Sequence, residues 1–293
     1  MKRTLDIIQE AMETGTQPCI AFSGGSDSLV LLDILYRKVK VKAPLVFCNT
    51  GMEYTETISF IKDVAGRYDA HLHVVNPDNA LPGFWQERGW PFLGKMPART
   101  WTRKHKDQNF GFRLDVSTCC ELLKIRPTRD FIKAQGFDLT LTGMRGSTDD
   151  ALRSYRQHRD GYLYKDKKSG VWQCHPLLGW TDLMIRRYTR AHDLPKHPAK
   201  ERGLITTGCM YCGGGCQFTN SGYPILRKLN PKAWKKFFVT WKAGEVLLSI
   251  KHDRPLWQIR EALDRMGGLE TVAKARPWIF DFSRSNPLKG YTK

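Results

Sequence analysis

Acidic residues are scarce in this chain. Of its 293 residues, Asp and Glu account for 29 against 47 Lys and Arg, a formal charge of +18. A field of that sign draws polyanions, so nucleic acid and phosphate-bearing ligands are the expected company. Long apolar runs are also missing. No stretch approaches the roughly 20 apolar residues that span a bilayer, which removes the membrane as an expected partner. The opening Met1-Lys2-Arg3-Thr4-Leu5-Asp6 carries an acid early and has no continuous apolar run, unlike a secretory signal. A cytoplasmic protein is therefore expected, and there clustered cysteines hold metal or do chemistry. No internal repeat and no low-complexity tract is evident. At 41% hydrophobic content the chain can still build a sizeable core.

Two common phosphate-binding patterns are absent. No glycine loop ends in Gly-Lys-Ser/Thr, and none reads Gly-x-Gly-x-x-Gly. What stands in their place is Ser23-Gly24-Gly25-Ser26-Asp27-Ser28, between the apolar run Pro18 to Phe22 and the helical pattern of Leu29, Val30, Leu32, Ile34 and Leu35. The glycines let the backbone approach phosphate without a clashing Cβ. Loop amides and a helix N-terminus form an anion site, to which the Ser23 and Ser28 hydroxyls can add. Asp27 would repel a bare phosphate, so Mg²⁺ is its expected partner.

Further strands are expected at Leu45 to Phe47, Leu72 to Val75 and Leu139 to Leu141. Helices are expected at Thr55 to Tyr68, Cys120 to Gln135 and Thr181 to His192, the last with Thr181 as N-cap. Strand–helix–strand alternation predicts a parallel sheet with helical crossovers. Residues 77–118, with Phe84, Trp85, Trp90, Phe92 and Trp101, read as an insertion or lid, and 151–180 as basic and loop-rich. Short helices are expected at Pro231 to Lys242 and Pro255 to Met266.

The six-residue string resembles the signature of the PP-loop ATP pyrophosphatases, which cleave ATP between its α and β phosphates. Asn49-Thr50-Gly51-Met52-Glu53-Tyr54-Thr55-Glu56-Thr57 resembles a segment of one branch, the PAPS reductase family, with Asn49 where Asp is usual. Cys119-Cys120 with Lys124 and Pro127, Thr142-Gly143-Met144-Arg145 with Arg153, His175 to Thr181, and Thr207-Gly208-Cys209-Met210-Tyr211-Cys212 resemble later segments in family order. The resemblance implies an α/β fold, a doubly wound and mostly parallel sheet of the adenine nucleotide alpha-hydrolase-like kind, over residues 1–220 with the cysteine-rich segment. A helical, basic C-terminal extension over 221–293 would follow.

It also implies roles. Ser23, Gly24, Gly25, Ser26, Asp27 and Ser28 would hold the phosphates of ATP, and Thr50, Gly51, Met52 and Gly143 would lie along the nucleotide. Asp27, with Mg²⁺, and Arg145 and Arg153 would serve the reacting phosphate. Cys119, Cys120, Cys209 and Cys212 would hold a [4Fe–4S] cluster, with zinc as the rival and Cys216 as an alternative ligand or a sulfur carrier. Cys19 and Cys48 fit core packing, and Cys174 has no assigned role.

The chain departs from the family's reductases in one respect. They attack the sulfonucleotide with a cysteine near the C-terminus, and this sequence has none after Cys216. A complete glycine loop, a cluster and strong positive charge resemble instead the sulfur-inserting enzymes of DNA phosphorothioation and, more loosely, tRNA thiolases. The expectation is an ATP-dependent sulfurtransferase acting on nucleic acid, DNA ahead of tRNA, with a cysteine desulfurase as sulfur donor. The alternatives are a reductase of adenylyl sulfate or its 3′-phosphorylated form, and a nucleic-acid-binding subunit that senses nucleotide.

Overall fold

Leu45-Val46-Phe47-Cys48 is buried at every position, as expected for a strand covered on both faces. It is β2 of a six-stranded sheet. The computed structural model describes residues 1–77, 83–93, 100, 103, 115–146, 161–204, 207–213 and 223–276. These fall into two compact units, one of residues 1–77 and 124–201 and one of residues 78–123 and 202–293. The division therefore differs from a single break near residue 220, because the ring-bearing residues before 124 pack with those after 202.

The first unit runs α1 (Lys2–Thr14), β1 (Pro18–Ala21), α2 (Ser26–Asp33), β2 (Leu45–Cys48), α3 (Thr55–Arg67), β3 (Leu72–Val75), α4 (Arg126–Ala134), β4 (Leu139–Thr142), β5 (Leu163–Lys165), β6 (Trp172–Cys174), α5 (Asp182–Ala191) and α6 (Pro198–Glu201). Strand order is β3-β2-β1-β4-β6-β5. All neighbours are parallel except the edge pair β5 and β6. The sheet is thus α/β and mostly parallel, as expected. Sequence-adjacent strands lie to one side of β1 and β4 to the other, so the winding reverses between β1 and β4. Ligands of open α/β sheets sit outside the strand C-termini at such a reversal. The register Ile20↔Leu141 and Ala21↔Thr142 brings those two C-termini level.

Within this core Asp33 is fully buried. It accepts hydrogen bonds from Tyr68 Oη at 2.7 Å and Tyr188 Oη at 2.8 Å, and pairs with Arg37 at 3.2 Å. The carboxylate thereby ties α2 to α3 and α5, and its partners offset its desolvation. Cys19 and Cys174 are fully buried. Burial pushes both thiols up to about 12, so they are inert core residues.

Sequence reading missed α1, which buries Thr4, Ile7, Ile8 and Ala11. β5 and β6 also lie within 151–180, where a loop-rich stretch is expected. Three-residue strands are too short to display a period.

The second unit is built on aromatic rings. Trp85, Trp90 and Phe92 are buried, so this part of 77–118 is core and not a lid. Phe237 stacks on Tyr211 with ring centroids 4.3 Å apart and an interplanar angle of 8°. Trp90 and Phe92 meet the edges of Phe237. Helices Tyr223–Leu229, Pro231–Lys235, Ala243–His252, Leu256–Arg265 and Gly268–Ala275 surround the rings. Trp234 is buried under Arg227, which lies 4.8 Å from its centroid. Trp101 and most of residues 99–106, a segment rich in Lys and Arg, lie outside the described residues. No described helix is long and apolar enough to cross a membrane.

Candidate nucleotide site and cysteine cluster

β1 ends at Ala21, and the chain turns through Gly24 at φ +71°. A Cβ on Gly24 would stand 2.9 Å from Ile61 Cγ1, so both conformation and space require glycine here. Gly25 is the N-cap of α2 and supplies no side-chain cap. The first amides of that helix are left for another acceptor. The loop is braced internally: Ser28 Oγ donates to Gly25 O at 3.0 Å and lies 3.3 Å from Ser23 Oγ.

The turn after β4 presses on this loop. A Cβ on Gly143 would lie 2.7 Å from Asp27 C and 2.7 Å from Ser28 N, a distance no side chain tolerates. That approach delivers Arg145. Its Nε donates to Asp27 Oδ2 at 2.9 Å, and its Nη2 meets Asp182 Oδ1 at 2.7 Å. Burial works against the charge of this guanidinium, but Asp27 and Asp182 outweigh it and raise its pKa. Arg145 is thus a fixed cation at the point where the winding reverses. Asp27, expected beside Mg²⁺, carries this cation as its partner.

His175 supports the same turn from behind. Its Nδ1 lies 2.6 Å from Thr142 Oγ1, which also accepts from Met144 N at 3.4 Å. Burial lowers the His175 pKa to about 4, so the ring is neutral.

After β2, Thr50, Gly51 and Met52 form the expected loop. Thr50 Oγ1 donates to Glu53 at 2.9 Å, Gly51 N donates to Asn49 Oδ1 at 3.1 Å, and Met52 is buried. Asn49, in the position where the family pattern has Asp, therefore holds the turn by its side-chain oxygen.

Sequence reading missed Lys200 and His197. Lys200 Nζ donates to Ser26 Oγ at 2.9 Å. Burial lowers its pKa from the usual lysine value, while the charges of Asp27 and Asp182 oppose the shift. His197 Nδ1 accepts from Ala199 N at 3.1 Å, leaving Nε2 to donate to Thr57 Oγ1 at 3.0 Å. This ties α6 to the start of α3. A cavity of about 300 Å³ opens here, lined by Gly24, Ser26, Leu29, Phe60, Thr189, Pro195, Lys196, His197, Lys200 and Glu201. Only the sequence neighbours of Lys200 were available as a signal, and they fit no common motif.

Cys119, Cys120, Cys209 and Cys212 all fall in the second unit. Asp115 caps helix Val116–Cys120, accepting from Thr118 N at 2.9 Å, and sets the adjacent pair on its last turn. Cys212 N donates to Cys209 O at 3.0 Å, closing the Cys-x-x-Cys turn. Tyr223 Oη donates to Cys212 O at 3.2 Å and holds that turn from below. Burial pushes the Cys119 thiol up to about 12; Trp85 partly offsets this, and neighbouring Cys120 and Cys212 add to it. Four thiols in one unit suit iron–sulfur ligation in donor chemistry. Among the described residues, no three or more His, Cys, Asp or Glu side chains are already gathered as a metal site. Arg153 and Cys216 lie outside the described residues.

The model of the phosphoadenosine phosphosulfate reductase domain matches residues 17–214. Adenosine 5′-phosphosulfate reductase 1 of Bacillus subtilis (strain 168) is 29% identical over 199 residues, covering 68% of this chain and 74% of that protein. The adenosine 5′-phosphosulfate reductase of Halalkalibacterium halodurans is 27% identical over 216 residues, covering 72% and 80%. Among solved structures, the phosphoadenylyl-sulfate reductase of Candida auris in its phosphate complex is 20% identical with a TM-score of 0.49, covering 70% of this chain and 87% of that one.

Proposed function

This chain belongs to the phosphoadenosine phosphosulfate reductase domain family, and from that premise we propose that it is a reductase of adenylyl sulfate or of its 3′-phosphorylated form. The observation that carries the reading is Arg145, fixed by Asp27 and Asp182 directly under the glycine loop. A preset cation beside free helix amides stabilises an anionic leaving group without reorganisation. The adenosine lies along Thr50, Gly51, Met52 and Gly143, and the anhydride faces Ser23 to Ser28.

The chemistry needs two thiols. A thiolate attacks the sulfur of the sulfonate, the sulfur–oxygen bond to AMP breaks, and AMP leaves with the electron pair. A second thiol then attacks the enzyme's or carrier's sulfur, sulfite leaves, and a disulfide remains. Two electrons have passed from two thiols to the sulfonate. Cys216 or a separate thiol protein supplies the attacking group. Cys119, Cys120, Cys209 and Cys212 would hold a [4Fe–4S] cluster, which supplies a charged, redox-capable centre when bound. Relatives named adenosine 5′-phosphosulfate reductase, matched over 74% and 80% of their own length, support this reading over the DNA phosphorothioation expected from the sequence.

A second reading rests on one specific feature, the complete Ser23-Gly24-Gly25-Ser26-Asp27-Ser28 loop. In it ATP with Mg²⁺ adenylates a nucleic-acid oxygen, pyrophosphate leaves, and sulfur from a cysteine desulfurase displaces AMP. The +18 charge suits such an acceptor.

Anaerobically purified protein given adenylyl sulfate and a dithiol should release sulfite and AMP in equal amounts. Pyrophosphate from ATP, with no sulfite from adenylyl sulfate, would transfer the assignment to the second reading. Metal analysis should find iron and sulfide; zinc alone would remove the cluster.

A further inference from the structure

Lys200 takes no part in the proposed reaction. It sits on α6 and reaches across to the first residue of α2, where its ammonium group donates to the Ser26 hydroxyl at 2.9 Å. That partner is neutral. The charge is drawn partly out of water, and burial is the main reason its pKa falls. A lysine seated on a hydroxyl gains less than one seated on an anion, because two full opposite charges attract more strongly than a charge and a neutral dipole. The hydroxyl is therefore a resting partner that an anion can replace. Space for that anion is present: Gly24, Ser26, Phe60, His197 and Lys200 border the 300 Å³ cavity beside the loop. Its floor is rigid, since His197 is locked between Ala199 N and Thr57 Oγ1. Exposed Lys196 adds positive charge at its mouth, and Glu201 adds the opposing charge.

We propose that Lys200 is a further substrate-binding residue, which passes from Ser26 to the terminal tetrahedral oxyanion of the nucleotide when that group enters this cavity. The proposal rests on the glycine loop being the seat of the anhydride, an element common to both readings of function. The oxyanion is a sulfuryl group if the ligand is adenylyl sulfate and a phosphoryl group if it is a nucleoside polyphosphate.

Three probes separate these cases: AMP, which lacks the terminal group, ADP and adenylyl sulfate. Each is titrated against the full-length protein and its Lys200→Met variant by calorimetry. The expected result is a roughly tenfold to hundredfold weaker Kd for the probe whose terminal group is recognised, with AMP affinity within about twofold. Loss confined to adenylyl sulfate identifies a sulfuryl subsite, loss confined to ADP a phosphoryl subsite, and loss for both a general oxyanion subsite. Lys200→Arg should restore binding and hold it at alkaline pH where the native protein weakens, because a guanidinium stays charged there. A mere clasp between α6 and the loop would lower thermal stability and weaken all three ligands alike; that outcome, or unchanged binding of all three, overturns the proposal. If the native protein binds none of the probes, the glycine-loop reading falls and Lys200 with it. If it binds them and only the variant's expected loss is missing, the reading stands and the role of Lys200 alone falls.

Discussion

In the unit of residues 1–77 and 124–201, charge meets charge. Arg145 lies between Asp27 and Asp182, and Asp33 is met by Arg37 and two tyrosine hydroxyls. In the unit of residues 78–123 and 202–293, Cys119 lies instead in an apolar setting that holds its thiol protonated, up to about 12. The candidate nucleotide site is preorganised around Arg145, because Asp27 and Asp182 already supply its counter-charge and the backbone at Gly143 approaches too closely to rearrange. The cysteine group has donors suited to iron–sulfur ligation, and among the described residues no three or more are gathered as a metal site. Burial disfavours the Cys119 thiolate, and a bound cation would favour it, so metal uptake at the proposed cluster would release that proton.

The sharpest way to break this contrast is at Gly143. Gly143→Ala forces a methyl group against Asp27 and Ser28 backbone atoms at 2.7 Å. Turnover should fall by about a hundredfold or more, since misplacement by an ångström costs that much. The cysteine region should keep its full iron content. Arg145→Met should come next, lowering kcat by roughly tenfold to a thousandfold as expected for loss of one preset electrostatic donor. Steady-state kinetics with adenylyl sulfate checks both.

Gly213→Ala is the matching change in the other unit, where a Cβ would stand 2.2 Å from Pro91 O. It should cost about 1–3 kcal/mol of stability by overpacking. Iron content should drop, yet AMP affinity should stay within about twofold. Urea unfolding and calorimetry read the two effects separately; a large loss of AMP binding would erase the contrast.

The smallest effect expected is a shared one. Burial lowers His175 in one unit and His252 in the other to about 4, below the usual 6.5. A histidine kept neutral in the fold contributes stability that is present above pH 6.5 and is lost as pH falls towards 4. The loss is at most about 3 kcal/mol for each ring. Urea midpoints measured at pH 7 and pH 4.5 should fall accordingly, and His175→Phe should flatten the curve of the first unit only.

Much of the nucleotide side was legible in the sequence. The strands of the parallel core are apolar runs, Thr181 is the N-cap it was expected to be, and the glycine loop falls at the winding reversal. Glycines report backbone constraints directly, so Gly24 and Gly143 carried their geometry in their identity. The pairing of Asp27 with Arg145 was not legible, because 118 residues separate them and only the register of β1 against β4 brings them together. Lys200 was hidden for the same reason. The two compact units were not legible because the rings at 84–92 reveal their partners, Tyr211 and Phe237, only in three dimensions.

Hydrogen exchange on the native protein, with and without adenylyl sulfate, tests the central claim most directly. Amides of residues 23–28 and 143–145 should slow markedly when the nucleotide is added, while those of 207–213 keep their rates. Unchanged exchange in the loop after β1, with protection appearing elsewhere in the chain, would contradict the placement of the nucleotide at the reversal of the sheet.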